Sequence, residues 1–107
     1  MKECHYNKGI RTDIALVFSC PGQEEEKKGK PISGQTGKNL DFFLTRLSEK
    51  LEFEFKNRYD LRITNSVKTA YYKNSTSNKT EPTTDEIKDK NNLNRLYNEL
   101  YEIEKFI

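Results

Sequence analysis

The residues best suited to chemistry lie in one stretch rich in glycine and proline. Of five glycines and three prolines in the chain, six fall between Pro21 and Gly37. The stretch follows the apolar run Ile14 to Phe18 and precedes an amphipathic pattern, so it is expected to join a strand to a helix. Glycines at such a junction let the backbone approach a ligand closely, and the amides that begin a helix attract anions. The residue types therefore predict a ligand-binding junction.

A phosphate-binding P-loop is the first chemistry to consider, because Gly37-Lys38 has the glycine–lysine pair of that motif. The motif also needs a glycine five positions before Gly37, where this chain has Ile32. A serine or threonine must follow the lysine to hold magnesium, and Asn39 stands there. The sequence therefore disfavours a P-loop.

Hydrophobic periodicity predicts the elements on either side of the junction. Residues 13–19 form an apolar run that is too short for a helix and typical of a central parallel strand covered on both faces. Residues 23–36 are predicted to be a loop, with Thr36 as the N-cap of a helix. The apolar residues that follow recur at helical spacing: Leu40, Phe43, Leu44, Leu47 and Leu51.

The second half of the chain predicts another strand and another helix. Residues 61–67 alternate apolar and polar side chains, as a strand does. Residues 68–80 are predicted to be a flexible loop, and residues 1–12 a lead-in. Glu86 follows Thr83 by three positions in a capping box, and an interruption of the helix is expected at Asn91-Asn92. The apolar face of this helix comprises Ile87, Leu93, Leu96, Tyr97, Leu100, Ile103 and Ile107. This order predicts an α/β unit with a right-handed crossover.

Length and charge limit the classes of protein to consider. The 107 residues suit one domain, residues 1–107. The net charge of +2 by itself favours no class of partner. Residues 56–79 carry six basic side chains and one acidic, or +5, interleaved with tyrosines. That segment suits a polyanion such as nucleic acid, with a solvated lysine-rich loop as the alternative.

Cysteine and histidine are too few for a metal centre or a disulfide framework. The candidates are Cys4, Cys20 and the single histidine, His5. We therefore expect no cofactor and no metal cluster. No apolar run reaches 18 residues, so we expect a cytoplasmic protein without a membrane partner. A monomer is expected.

Three spaced motifs carry a family resemblance. Phe18-Ser19-Cys20-Pro21-Gly22 follows the first strand, residues 29–40 read GKPISGQTGKNL, and Ile63-Thr64-Asn65-Ser66-Val67-Lys68 ends the second strand. Their succession resembles the uracil-DNA glycosylase superfamily, most closely its bacterial and archaeal family 4-like members. The resemblance implies a three-layer αβα fold with a central parallel sheet, and it covers residues 14–107.

The resemblance also implies roles for individual residues. The loop Ser19, Cys20, Pro21 and Gly22 would face the sugar, and Ile32 would stand where the family keeps an aromatic that stacks on the flipped base. Asn65 would read the base edge through its amide. Gly34 and Gly37 would shape the pocket, and the phosphates would be contacted by Lys38, Lys68 and Lys73. DNA that is damaged or contains uracil is the partner implied.

The sequence departs from the family pattern at several positions. Ser19 replaces the usual acidic residue, so Gln23 or Glu24 would have to position the attacking water. Thr69 stands in the place of a cluster cysteine. The family continues with further strands and a histidine-containing loop, so we expect this chain to be the N-terminal portion of a longer protein. Base excision is the leading hypothesis; the alternatives are a non-catalytic nucleic-acid-binding module and a small interaction or nucleotide-binding protein.

Overall fold

The two predicted strands pair in parallel at the centre of the described chain. The computed structural model describes residues 3–51, 57–73 and 79–103. Within these ranges the protein is a small mixed α/β domain with a two-stranded parallel sheet and four α-helices. The elements are β1 (Ala15–Phe18), α1 (Gln23–Lys28), α2 (Gln35–Leu51), β2 (Arg62–Asn65), α3 (Thr84–Lys88) and α4 (Lys90–Leu100). A short 3-10 turn, Arg58–Asp60, leads into β2.

The hydrophobic core lies between the sheet and α2. The register sets Leu16 beside Ile63, and because side chains alternate along a strand, both project from the same face. The buried cluster on this face consists of Leu16, Ile32, Leu44, Leu61 and Ile63, with Leu40 and Leu47 packed against it. These contacts confirm most of the predicted stripe on α2. Phe43 differs, since it is 49% exposed, and the side chain of Leu51 lies outside the described residues.

The other face of β2 is polar and yet buried, which the alternating sequence did not predict. Arg62 and Thr64 are at most 1% exposed because α4 covers them with Arg95 and Glu99. The prediction that β1 is covered on both faces is only partly right. Val17 of β1 is 39% exposed, because α4 covers β2, to which it forms its hydrogen bonds.

The predicted loop over residues 23–36 is wrong in its first part, because Gln23–Lys28 form α1. Three glutamates in its first turn and two lysines in its last complement the helix dipole. Gly29 ends the helix with a φ of 71°, the left-handed conformation common at helix ends. Helix α2 begins at Gln35, one residue before the predicted N-cap, because the Gly34 carbonyl accepts the first helical hydrogen bonds.

The predicted lead-in is an integral part of the sheet. Asn7 pairs antiparallel with Ile63 through two backbone hydrogen bonds of 2.7 and 2.8 Å. Its side-chain amide donates to the carbonyls of Tyr59 and Leu61, both at 2.9 Å. The polar sequence of residues 3–12 gave no alternation, so its pairing with β2 was not predictable from periodicity.

The last helical region is divided at Asp89 and not at Asn91-Asn92. Thr83 and Glu86 form the predicted capping box of α3. The carboxylate of Asp89 then caps α4 by accepting from the amides of the two asparagines. The predicted positions 74–78 of the flexible loop and Ile107 lie outside the described residues. None of the helices in the described ranges is long and apolar enough to cross a membrane.

Candidate functional site

The carboxyl ends of β1 and β2 bring the first and third sequence motifs into contact. The hydroxyl of Ser66 donates to the carbonyl of Ser19 at 2.5 Å. Further along the same segment, the amide of Tyr71 donates to the carbonyl of Pro21 at 2.9 Å. Ligands of open α/β sheets bind outside the carboxyl ends of the strands, where loops and helix starts meet. The loop after β1 and the segment after β2 therefore form one edge suited to a ligand.

The carboxylate of Glu25 links the second sequence motif, residues 29–40, to the first motif by hydrogen bonds. One oxygen accepts from the Gly22 amide at 2.9 Å, and the other accepts from the amides of Ser33 and Gly34, both at 3.1 Å. Hydrogen bonds to an ionised acceptor are stronger than neutral ones. Because this carboxylate already occupies the amides before α2, the geometry gives a second reason against a P-loop.

Asn65 ends β2 with its amide inside the protein. The residue is 1% exposed, and its Nδ2 donates to the carbonyl of His5 at 2.9 Å. Its register partner is Phe18, the last residue before the Ser19 loop. The amide therefore lies at the predicted edge, and in this structure its Nδ2 is hydrogen-bonded to the N-terminal segment.

Ile32 and Gly37 contribute to the packing of the core. Ile32 is 6% exposed, belongs to the core cluster and has a φ of 51°, so its side chain contacts the core instead of lining an open pocket. Gly37 is buried against it, and a Cβ there would lie 2.0 Å from the Ile32 carbonyl oxygen. Only a glycine lets α2 approach so closely. Gly34 is half-buried beside α1.

Of the other predicted site residues, Pro21 is fully buried and Gly22 is half-buried, and the rest lie at or near the surface. Ser19 is exposed and Cys20 is half-buried. Four further candidates have exposed side chains: Gln23, Glu24, Lys38 and Lys73. Lys68 is also exposed, with its ammonium nitrogen 3.5 Å from a carboxylate oxygen of Glu3. The structure thus brings the Ser19 loop, Asn65 and Lys68 to one edge.

A cleft of about 640 Å³ opens beside the end of β2. Its lining comprises Val67, Lys68, Thr69, Asp85, Glu86, Asp89, Asn91, Asn92 and Arg95. The Ser66 carbonyl accepts from Asn92 and Arg95 of this lining, while its hydroxyl contacts the Ser19 loop. The cleft and the loop therefore adjoin at Ser66. Its volume is within the range of small-molecule sites.

A buried ionic network holds α4 against β2. The carboxylate of Glu99 accepts from the Thr64 hydroxyl and from Arg95 at 2.7 Å. His5 Nε2 lies 3.1 Å from the second carboxylate oxygen. Arg95 also donates to the Asn65 carbonyl at 2.9 Å, so the network reaches the end of the strand. Neither Glu99 nor Arg95 was among the residues singled out from the sequence.

The electrostatics of this network favour the charged form of Glu99. Burial by itself raises the pKa of its carboxyl, but the hydrogen bonds from His5 and Thr64 and the charge of Arg95 outweigh burial. The net pKa of Glu99 is therefore lowered from its ordinary value. The carboxylate is ionised at neutral pH, and Arg95 supplies its counter-charge.

Much of the predicted basic segment is neutralised within the fold. The paired side chains and their partners are Arg58 with Asp41, Arg62 with Glu102, Lys68 with Glu3, and Lys79 with Glu86. The two arginines are also buried or half-buried. A polyanion would therefore meet mainly lysines, which are more exposed than the arginines.

The thiols show no sign of nucleophilic or metal chemistry. Burial raises the pKa of both Cys4 and Cys20, which keeps them protonated at neutral pH. In the part of the chain that the structure describes, no three His, Cys, Asp or Glu side chains come together as a metal site.

The roles of Glu25 and of the contact between His5 and Asn65 were also not predicted from the sequence, for different reasons. Glu25 follows Gly22 by three positions, the spacing of a helix-start carboxylate, so its role was detectable once α1 was recognised. The contact between His5 and Asn65 joins residues 60 positions apart in the chain. No local signal announces such a contact.

Comparison with protein-family models finds no match, and no curated protein matches the sequence significantly.

Replacing Glu25 by Gln is expected to loosen the junction. The amide keeps one acceptor oxygen but turns an NH2 group toward backbone donors, so at least one charge-assisted hydrogen bond is lost. We expect the free energy of unfolding, measured in urea, to fall by about 2 kcal/mol. The matched variant Glu24→Gln changes an exposed neighbour and should stay within about 0.5 kcal/mol of the wild type. Equal losses in the two variants would contradict the bridging role.

Proposed function

We propose that this chain is a uracil-DNA glycosylase-like domain, which hydrolyses the N-glycosidic bond of a deaminated base flipped out of DNA. The observation that supports it best is the meeting of the three family-like motifs at one sheet edge. Ser66 joins the end of β2 to the Ser19 loop, and Glu25 joins that loop to the second motif. In the proposal the sheet is the centre of a three-layer αβα fold.

The proposed reaction needs a base outside the double helix. Rotating it out costs a few kcal/mol, and contacts between the phosphates and Lys38, Lys68 and Lys73 would offset part of that cost. The Asn65 amide would then hydrogen-bond the base edge. Its present bond to a backbone carbonyl is chemically the bond that it would make to a base carbonyl.

Water activation is assigned to the start of α1. Ser19 has no carboxylate, whereas Glu24 is an exposed carboxylate in the first turn of the helix that follows the loop. We assign Glu24, with Gln23 beside it, to orienting the water that attacks the sugar carbon. Hydrogen-bond donors at the base stabilise the negative charge that develops on the departing base.

The test measures abasic sites after incubation with uracil-, hypoxanthine- and xanthine-containing DNA, both duplex and single-stranded. We expect the wild type to release at least one of these bases. Asn65→Asp replaces a donor by an acceptor and should slow release about 10²–10³-fold, as loss of one transition-state donor does. The matched control is Asn98→Asp, an exposed amide on α4, which should keep the wild-type rate. Absence of abasic product from every substrate would refute the catalytic proposal.

The second candidate is a non-catalytic nucleic-acid-binding module with the same site. Ser19 in place of an acid and the buried Asn65 amide favour it. It predicts DNA binding that weakens steeply as salt rises, without abasic product. Binding that does not depend on salt would instead favour a small interaction or nucleotide-binding protein.

A further inference from the structure

The segment Glu3–Tyr6 occupies two of the groups that the proposed function assigns to DNA. The carbonyl of His5 accepts from the Asn65 amide at 2.9 Å. The carboxylate of Glu3 lies 3.5 Å from the ammonium of Lys68. A base carbonyl and a phosphate oxygen are the nucleic-acid equivalents of these two acceptors. His5 thus takes the place of a base carbonyl, and Glu3, two positions earlier in the chain, takes the place of a phosphate.

We propose that Glu3–Tyr6 is an autoinhibitory segment, which closes the DNA site in the free protein and which DNA displaces on binding. The inference rests on the proposed function, because it requires Asn65 and Lys68 to face DNA. The competing occupant is part of the chain itself, so inhibition is present in every molecule until DNA competes with it. The apparent affinity for DNA is then lowered by the fraction of molecules in the closed state.

The segment is held firmly at one end and weakly at the other. Asn7 is fixed on β2 by two backbone and two side-chain hydrogen bonds. Glu3 forms an ion pair in which its side chain is 74% exposed, and exposed pairs contribute little stability. His5 is held by Asn65 and Glu99. Displacement breaks these contacts and exposes the buried side chains of Cys4 and His5, while the hydrogen bonds of Asn7 keep the rest of the segment in register.

The closed state also carries an internal cost at His5. The ring is buried, and its Nδ1 has no hydrogen-bond partner. An unpaired buried polar atom is unfavourable because it has lost its water without a replacement. Opening returns that nitrogen to solvent, which offsets part of the loss of the bond to Glu99. The unpaired Nδ1 therefore lowers the cost of opening the segment.

Cys4 provides a direct readout of displacement, because the residue is only 4% exposed in the closed segment. The experiment follows alkylation of Cys4 in the full chain by peptide mass spectrometry, which separates it from Cys20. The probe is a short single-stranded oligonucleotide with one uracil. We expect saturating DNA to speed Cys4 alkylation roughly tenfold, as a shift from a mostly closed to a mostly open state would. DNA that binds while the Cys4 rate stays constant or falls overturns the inference.

The double variant Glu3→Gln/His5→Ala tests the same competition through affinity. It removes the ion pair and the contact to Glu99, and we expect it to bind the oligonucleotide roughly tenfold more tightly than the wild type. Glu49→Gln, an exposed carboxylate on α2, removes one acidic charge elsewhere and should change affinity far less. Equal affinities of wild type and double variant would refute autoinhibition and leave the proposed function intact. If neither protein binds DNA, both proposals fall.

Discussion

Replacing Glu99 by Ala is expected to lower the free energy of unfolding by about 3 kcal/mol, the lower end of the cost of leaving one member of a buried ion pair without its partner, because Glu99 and Arg95 are only partly buried. The substitution leaves Arg95 buried without a counter-charge and deprives Thr64 and His5 of their acceptor. Chemical denaturation followed by circular dichroism would measure the loss. Because α4 has no fully buried residue, the polar network is its main attachment to the sheet.

The control for this variant is Glu49→Ala on α2. Its side chain is exposed, so its free energy of unfolding should stay within about 0.5 kcal/mol of the wild type. A Glu99→Ala loss of that same small size would contradict the view that the network attaches α4.

The loss of stability at acidic pH tests the role of the Glu99 carboxylate. Its pKa is lowered in the folded state, so its contribution is fully present above the unfolded value and is lost as the pH falls through the folded value. The wild type should therefore lose stability more steeply than Glu99→Gln as the pH falls below the ordinary pKa of a glutamate, about 4.3. Parallel pH profiles of the two proteins would show that Glu99 is not preferentially ionised in the folded state.

Replacing Gly37 by Ala is expected to destabilise the protein by about 3 kcal/mol, the upper part of the range for an overpacked core. Helix propensity alone predicts the opposite sign, because alanine is favoured over glycine by up to about 1 kcal/mol inside a helix. The new Cβ would lie 2.0 Å from the Ile32 carbonyl oxygen, so α2 must move away from Ile32. Thermal unfolding and urea denaturation measure the difference.

Thr36→Ala is the matched control, since Thr36 is exposed in the same turn of α2. It should change the free energy of unfolding by less than about 0.5 kcal/mol. If Gly37→Ala were as stable as Thr36→Ala, the close approach of α2 to Ile32 would not hold in solution.

The two stability predictions concern the two sides of the same sheet edge. Gly37 lets α2 pack against Ile32, and Glu99 holds α4 against the strand that ends in Asn65. The effect of Asn65→Asp is different in kind, because it alters the group that reads the base in the proposed function.

The sequence by itself determined the elements whose signals are local. The apolar run 13–19 and the alternating run 61–67 predicted two strands, and the leucine spacing predicted α2, because a few neighbouring residues carry each of these patterns. The capping box of α3 was readable for the same reason. The charged run of α1 was misread as a loop, since its stability comes from the helix dipole and from Glu25 instead of from an apolar face.

Only the tertiary structure decided how the polar residues are used. The alternation of residues 61–67 does not indicate that the polar face of β2 is buried. Arg62 and Thr64 are buried because partners 30 or more positions away cover them: the Glu99 carbonyl and the Glu102 carboxylate for Arg62, and Arg95 for Thr64. The segment around His5 has no pattern of its own and takes its place by pairing with β2. Hydrogen bonds and ion pairs between distant residues depend on which elements pack together in the tertiary structure. Hydrophobic periodicity does not indicate which elements do so.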